Sequence, residues 1–276
     1  VWIPLGLDAD NGEPWPTPAQ DETLTVQINN VVVNGSPQSF NYGVQVFDSA
    51  TAGPNDLLPT IAGPDNGDLN TPERFTLSQI DFAQDYRLRS GKLANFTAIE
   101  NAEGSTEFIT DGTDSAYPLF STDAAANGSS PLHLAHTNAT DQNVVIERQI
   151  RPSNTSELRF SSRLGFASTT QVARAQVSLD DGQTWSDVYT QSGTDGRGET
   201  GFTSRAVSLI DYADAVIKVR FFYELQGGSY FPQSSAGVGF YIDDVEVTNA
   251  QELTAIETTT LGNVDEFSYT AESSGE

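Results

Sequence analysis

Apolar and polar residues alternate along much of this 276-residue chain, a pattern typical of antiparallel strands that bury one face. The clearest case runs from Val216 to Tyr223, where every second residue is apolar and Lys218 and Arg220 fall between them. Neighbouring strand residues point to opposite faces, so this segment predicts a half-buried strand. No long helical period appears, and the pattern therefore predicts an all-β fold and argues against a βαβ architecture.

From about Asn95 onward, short alternating segments follow one another at the intervals of a β-sandwich, with polar turns between them. These segments predict one antiparallel sandwich domain over residues 94–249. The predicted strands are Phe108–Thr110, Leu132–Ala135, Val144–Ile150, Ser156–Gly165, Ala173–Leu179, Ser186–Thr190, Thr203–Leu209, Val216–Tyr223 and Gly239–Val247.

Residues 1–93 predict a small β-rich unit, or the tail of a preceding domain. Within it, residues 1–21 are expected to be a linker, and residues 22–48 a hairpin around an Asn-Gly turn. Residues 49–74 carry four prolines among Gly, Asp and Asn, which predicts a loop. A short helical turn is expected at Leu77–Tyr86.

Residues 250–276 are rich in Thr, Glu and Ser. This composition predicts either a linker or the start of a next module, and Phe267–Ala271 would then be its first strand. The first residue is not Met, which suggests that the chain is a piece of a longer protein.

The charge balance restricts the classes of partner. The chain has 38 acidic and 13 basic residues, a formal net charge of −25. Such a surface repels nucleic acid and anionic membranes and favours cations such as Ca²⁺; solubility in a salty medium is the simpler explanation. There is no Cys, which excludes disulfides, and no apolar run of about 20 residues, so no membrane insertion is expected.

One local motif is specific. Ser178, Asp180, Gly182, Thr184 and Trp185 match the Asp-box pattern S-x-D-x-G-x-T-W at every defined position. The pattern predicts a β-hairpin in which the Asp accepts bonds from backbone amides of its own turn, the Gly takes a positive φ and the indole clamps the turn. A single copy argues against a propeller.

The segment from about Asn95 to Val247 resembles the MAM-like jelly-roll modules that accompany immune inhibitor A-type metalloproteases and gingipain-type cleaved adhesins. Phe240 stands where that family usually has Trp, and Asp214 where Gly is common. The resemblance is carried, in family order, by Leu132–Leu134, Val145–Ile150, Leu158–Phe160, Arg174–Val177, the Asp-box turn, Ala206–Leu209, Val216–Phe222 and Gly239–Val247.

This resemblance implies a jelly-roll β-sandwich and a structural Ca²⁺. In related modules an acid of the closing strand and an early Glu hold the ion. Asp243 and Asp244 lie in the closing strand, Glu100 stands where the early Glu would fall, and Asn101 and Glu103 are neighbours that could add oxygen ligands. In a regular strand one of the two adjacent Asp side chains would point to the interior or to an edge. The alternative is that both Asp side chains bond backbone amides at a loop junction.

The resemblance favours a non-catalytic accessory or adhesion module of a larger secreted or cell-surface protein. Its partners would be other domains of the same polyprotein, or a surface glycan or protein. A carbohydrate-binding module and a structural subunit of a filament or surface array are the alternatives. Tyr230 and Phe231 lie on a predicted loop and are candidate ligand-binding residues, as are Trp2 and Trp15. The 230–231 loop would otherwise fold back over the sandwich edge.

Catalytic motifs are missing. His133 and His136 form H-x-x-H in a strand-like context, which predicts that their side chains face opposite ways and form no metal pair. No H-E-x-x-H or G-x-S-x-G occurs, and no pair of acids stands out. The chain is therefore predicted not to be an enzyme.

Overall fold

The computed structural model describes residues 23–33, 36–45, 59–64, 67–79, 85–96, 107–114, 116–122, 126 and 130–271, with only the backbone described before residue 46. Within these residues the regular structure consists of β-strands and one 3-10 turn, Ile210–Tyr212. The strands are β1 (Thr23–Val33), β2 (Ser36–Gln45), β3 (Ile61–Ala62), β4 (Glu73–Leu77), β5 (Tyr86–Asn95), β6 (Ile109–Gly112), β7 (Leu132–Leu134), β8 (Gln142–Pro152), β9 (Glu157–Leu164), β10 (Gln171–Ser178), β11 (Ser186–Ser192), β12 (Thr203–Ser208), β13 (Ile217–Leu225), β14 (Phe240–Val247), β15 (Ala250–Gly262) and β16 (Glu266–Tyr269).

Two antiparallel sheets form a jelly-roll β-sandwich. The larger has the order β11-β10-β13-β8-β15-β5, with β6 paired to another part of β8, and the smaller has the order β12-β9-β14-β7. All nine strands predicted between residues 108 and 247 are present, with ends shifted by a few residues. The fold class predicted from the sequence is confirmed.

The core lies between the two sheets. Its apolar side chains come from alternate residues of facing strands, as the period of two requires. Leu158, Phe160 and Leu164 of the smaller sheet are at most 2% exposed, and Val219 and Phe221 of the larger sheet are at most 1% exposed. Burial of such side chains contributes about 1.5–3 kcal/mol each, so this alternation is the main source of stability.

The predicted N-terminal hairpin is present as β1 and β2. The strands pair antiparallel from Thr23↔Gln45 to Val33↔Ser36, with a register shift between Ile28 and Val31. The apolar residues change parity at the same point, because Leu24, Val26 and Ile28 are even-numbered and the valines at 31 and 33 are odd. The register shift is a β-bulge, with two residues of β1 opposite one residue of β2.

Two predictions for the rest of the chain were wrong, the loop over residues 49–74 and the linker or next module after residue 249, and the middle of the expected helical turn lies outside the described residues. The segment 49–74 contains β3 and the start of β4, and the expected helical turn is not seen at its described ends, because Leu77 ends β4 and Tyr86 begins β5. Residues 250–262 are strand β15 rather than a linker, pairing with β8 at Ala250↔Pro152. The residues expected to open a next module form β16, which pairs with β4.

The chain divides into two compact units. The larger contains residues 88–259 with two short flanking segments, and the smaller contains Glu73–Arg87 and Thr260–Tyr269 together with the N-terminal region. The boundaries therefore fall within β5 and β15, not at the predicted positions after residues 93 and 249. Residues 1–21, where a linker was predicted, lie outside the described residues. No helix in the described part is long and apolar enough to cross a membrane.

Candidate functional site

The S-x-D-x-G-x-T-W segment forms the predicted turn between β10 and β11. Asp180 accepts bonds from the Thr184 amide and hydroxyl at 2.8 and 2.7 Å, and from the Ser178 hydroxyl at 2.8 Å. Gly182 has a φ of 91°, and its carbonyl accepts the Trp185 indole N–H at 3.0 Å. Burial opposes ionisation of Asp180, but these bonds outweigh it and lower its pKa. The turn therefore holds the indole in a fixed place.

Strand β13 runs through the middle of the larger sheet and presents a polar outer face. Its odd-numbered residues from 217 to 223 are at most 1% exposed and lie in the core. Lys218, Arg220, Phe222 and Glu224 alternate with them and are partly exposed on the outer side. Directly opposite residues of paired antiparallel strands share a face, so Gln176 of β10 lies beside Arg220.

Arg220 lies against two aromatic rings on this outer face. Its guanidinium carbon is 4.4 Å from the Trp185 ring centroid and 4.6 Å from that of Phe222. Its Nε donates to the Gln176 carboxamide oxygen at 2.6 Å. Burial lowers the pKa of Arg220 to about 10, although the charges of Asp187 and Asp141 oppose the shift. We call Trp185, Arg220 and Phe222 the sheet-face site.

Ion pairs lie along one side of the sheet-face site. Arg174, whose side chain is 16% exposed, pairs with Glu224 at 2.6 Å and with Asp187. Asp187 also accepts a bond from the Gln176 amide at 2.7 Å. Burial opposes the charge on Arg174, but the two carboxylates outweigh it and raise its pKa. The carboxylates on this side are therefore engaged with Arg174.

A second set of ion pairs lies along the same strand. Lys218 pairs with Glu147 at 2.6 Å and with Asp181 at 2.9 Å, and Arg89 lies 3.3 Å from Asp181. Partial burial opposes the charged forms of Lys218, Glu147 and Asp181. The pairing outweighs it, lowering the pKa of Glu147 and Asp181 and raising that of Lys218. These groups all stay charged at neutral pH.

The sheet-face site can contact a ligand in two ways. The two aromatic rings offer apolar surface, and the planar guanidinium offers N–H donors that lie in one plane. Neither Nη nitrogen of Arg220 has a hydrogen-bond acceptor among the residues that the structure describes. This site was not predicted from the sequence, although the alternation of β13 already placed Arg220 and Phe222 on one face.

The Asp243–Asp244 pair lies at a bulge in β14. Asp243 pairs with Ser161 of β9, and Glu246 with Arg159, so β14 has one extra residue between them. Asp244 takes a φ of 52°, and this conformation is strained for a non-glycine residue. The extra residue reverses which positions of β14 face the core. Asp244 therefore lies outside the apolar core, where a regular strand would have placed it.

The carboxylate of Asp243 is fully buried and bonded to backbone amides. Its oxygens accept the Ala126 N–H at 2.8 Å and the Asp244 N–H at 2.9 Å. Among the described residues, no group of three or more His, Asp or Glu side chains comes together as a metal site. Glu100 and Asn101, the other predicted Ca²⁺ ligands, lie outside the described residues, so their part in the predicted site stays a prediction.

Tyr230 and Phe231 lie in the loop between β13 and β14, which folds back onto the sandwich. The Phe231 N–H donates to the Gln171 carboxamide oxygen at 2.8 Å, and the Gln171 amide donates to the Phe231 carbonyl at 3.1 Å. The Phe231 ring lies 5.7 Å from Phe166, and the Tyr230 ring lies edge-on to His136 at 6.2 Å. Both are partly buried, and their ligand-binding role stays a prediction.

The two histidines are buried in different places. His133 is stacked on Tyr241 at 4.0 Å and bonds the Val238 carbonyl at 2.8 Å. His136 is stacked on Tyr223 at 4.3 Å and bonds its carbonyl at 3.2 Å. The two rings therefore have separate partners. Trp2 and Trp15 lie outside the described residues.

Comparisons with solved structures found similarities to carbohydrate-binding modules and to an adhesin domain. A family 22 carbohydrate-binding module of Clostridium thermocellum Xyn10B is 14% identical, covering 58% of this chain and 96% of its own, with a TM-score of 0.36. The K1 cleaved adhesin domain of Lys-gingipain from Porphyromonas gingivalis W83 is 13% identical, covering 59% and 98%, with a TM-score of 0.34.

A xylan-binding CBM22-2 domain from Paenibacillus barcinonensis Xyn10C is 13% identical, covering 54% of this chain and 96% of its own, with a TM-score of 0.36. No protein family and no curated protein matches the chain. These similarities assign the chain to no family, and the MAM-like assignment stays a prediction.

Proposed function

We propose that the chain is a non-catalytic, glycan-binding accessory module of a larger secreted or cell-surface protein, and that glycan binds at the sheet-face site. One observation carries the proposal. Arg220 lies against the rings of Trp185 and Phe222 on an outward sheet face, and its Nη donors have no acceptor among the described residues.

The chemistry of a sugar ring matches this arrangement. A pyranose has an apolar face of C–H groups, which packs against an aromatic ring, and a rim of hydroxyls, which accept from a guanidinium. The bond from Arg220 to Gln176 and the turn around Trp185 hold both groups in place before binding. A preorganised site loses less side-chain entropy on binding, and this favours affinity.

The test measures binding of the chain to a panel of soluble polysaccharides by affinity electrophoresis and calorimetry. Arg220→Met keeps the length of the side chain and removes its donors, so we expect at least an about 10-fold loss of affinity. Arg159→Met is the matched control, because Arg159 makes an ion pair with Glu157 on the other sheet, at 2.7 Å. It should bind as the wild type does.

Two results would contradict the proposal. One is binding that Arg220→Met leaves unchanged, and the other is a panel in which no glycan is retained by the wild type. Tyr230→Ala serves to locate the site: a loss of affinity in this variant alone would move binding to the loop that follows β13. Melting curves of all variants identify any loss that comes from unfolding.

We further propose that Asp243 and Asp244, with Glu100 and Asn101, hold a structural Ca²⁺. Carboxylate and carboxamide oxygens are the ligands that this ion prefers. A bound cation would also offset the cost of burying a charged carboxylate such as that of Asp243. Bound Ca²⁺ would stabilise the fold without taking part in chemistry. Excess EDTA should then lower the melting temperature and added Ca²⁺ restore it; an unchanged curve would refute the proposal.

A further inference from the structure

The ion-paired residues of this sheet face, taken together with Arg220, balance each other in charge, unlike the residues of the whole chain. The ion pairs described above connect three basic and four acidic residues, and Arg220 adds a fourth base, so these eight charges sum to 4 − 4 = 0, whereas the chain carries −25. The basic residues are Arg89, Arg174, Lys218 and Arg220, and the acidic residues are Glu147, Asp181, Asp187 and Glu224.

Arg220 differs from the other three basic residues in its partners. Each of the other three bases has a carboxylate within 4.0 Å, whereas Arg220 has a carboxamide as its hydrogen-bond partner and two rings as its neighbours. Its donors are therefore available to a ligand. The carboxylates of Glu224 and Asp181 stand on the same sheet face, where each forms an ion pair.

We infer that the sheet-face site takes an uncharged glycan chain rather than a uronate or sulfated polymer, an inference that rests on the proposed function. A polymer of several residues would extend beyond Arg220 over the neighbouring carboxylates. Repeated anionic groups would be repelled there and by the net charge of the whole chain. Hydroxyls meet no such repulsion and can accept from Arg220 or donate to a carboxylate oxygen.

The test compares oligosaccharides of equal length in three classes: uncharged, uronate-containing and sulfated. Calorimetry is run in low salt and in about 0.5 M NaCl, where the screening length falls below about 5 Å. We expect the tightest binding in the uncharged class, with affinity that changes less than about threefold between the two salts and is lost in Arg220→Met. Tighter binding of either anionic class that weakens in salt would overturn the inference.

A charge variant gives an independent measure. In the double variant Asp187→Asn with Glu224→Gln, both carboxylates that pair with Arg174 become uncharged, so the local charge changes from 0 to +2. Affinity for uronate oligosaccharides should then rise, with affinity for the uncharged class retained. If the variant gains no uronate binding and the wild type already prefers uronates, local charge does not select the ligand.

The outcomes separate the inference from the proposed function. Anionic glycans that bind best and depend on Arg220 would overturn the ligand class and keep the site. Binding of any class that is independent of Arg220 would overturn the site itself, and the ligand class with it. Uncharged glycans that bind best and depend on Arg220 would support both.

Discussion

Acidification should destabilise the larger unit through a single buried side chain, His136. The ring is fully buried, and its Nδ1 lies 2.9 Å from the Gln171 amide nitrogen. The Gln171 oxygen accepts backbone N–H groups from Ser168 and Phe231, so its amide must donate to Nδ1. The Nε2–H then donates to the Tyr223 carbonyl. Protonation of Nδ1 would place two donors against each other.

The magnitude follows from the pKa of His136. Burial lowers it from 6.5 to about 4, against the opposing bond to the Tyr223 carbonyl and the charge of Asp141. Because the folded pKa lies below the unfolded value, the unfolded chain takes up the proton first. The stability present above about pH 6.5 is thus lost as the pH falls towards 4. The full loss is about 3 kcal/mol, of which about 2 kcal/mol is lost by pH 5.

The assay combines urea unfolding between about pH 8 and pH 5 with an NMR titration of the imidazole nitrogens. Unfolded carboxyl groups titrate near 4, so the range above pH 5 isolates the histidines, of which the chain has two. The variant His136→Gln should lose stability at pH 8, because it gives up the stacking on Tyr223. Its free energy of unfolding should vary less with pH than that of the wild type.

Two results would refute this account of His136. A ring that titrates near 6.5 in the folded protein would show that burial does not hold it neutral. An equal pH dependence in His136→Gln and the wild type would show that another group loses the stability. A His133→Gln variant assigns the two rings in the NMR spectrum.

Two further predictions concern single side chains. Gly182→Ala should lower the free energy of unfolding by about 1–2 kcal/mol, because φ is 91° and the new Cβ would lie 3.3 Å from the Trp185 ring. Gly201→Ala, with nothing within 4 Å, should have little effect in the same urea titration. Tyr223→Phe should leave stability unchanged or raise it by about 1 kcal/mol, because its buried hydroxyl has no partner among the described residues. A loss above about 1 kcal/mol in a melting experiment would contradict this.

The sandwich strands could be predicted because their pattern is local. Each strand between residues 108 and 247 alternates over enough positions to show its period, and the turn around Asp180 depends on residues within one short segment. The role of residues 250–262 could not be predicted in this way. Strand β15 is largely polar and exposed after Leu253, so its sequence resembles a linker, and its place between β8 and β5 in the sheet makes it a strand.

The bulge at Asp243–Asp244 shows how a local pattern can mislead. A regular strand would put Asp244 on the same face as Phe240 and Ile242, in the core. The core residues of β14 are even-numbered up to Ile242 and odd-numbered from Val245, since Val245 and Val247 are also in the core. That change was a signal of a bulge, and the bulge removes the need for a metal to compensate a charge of Asp244 in the core. A structural Ca²⁺ must therefore be judged by the chelation experiment and not by the pattern.

The sheet-face site depends on relations that one sequence does not contain. Arg220 and Phe222 are two residues apart, so their common face follows from alternation. The register that sets Gln176 opposite Arg220, and the turn that brings Trp185 over the guanidinium, follow only from the pairing of β10 with its two neighbours. The motif around Asp180 thus has a consequence beyond folding, since it fixes the indole that packs against Arg220. If a variant such as Gly182→Ala displaces the indole, glycan affinity should fall together with stability.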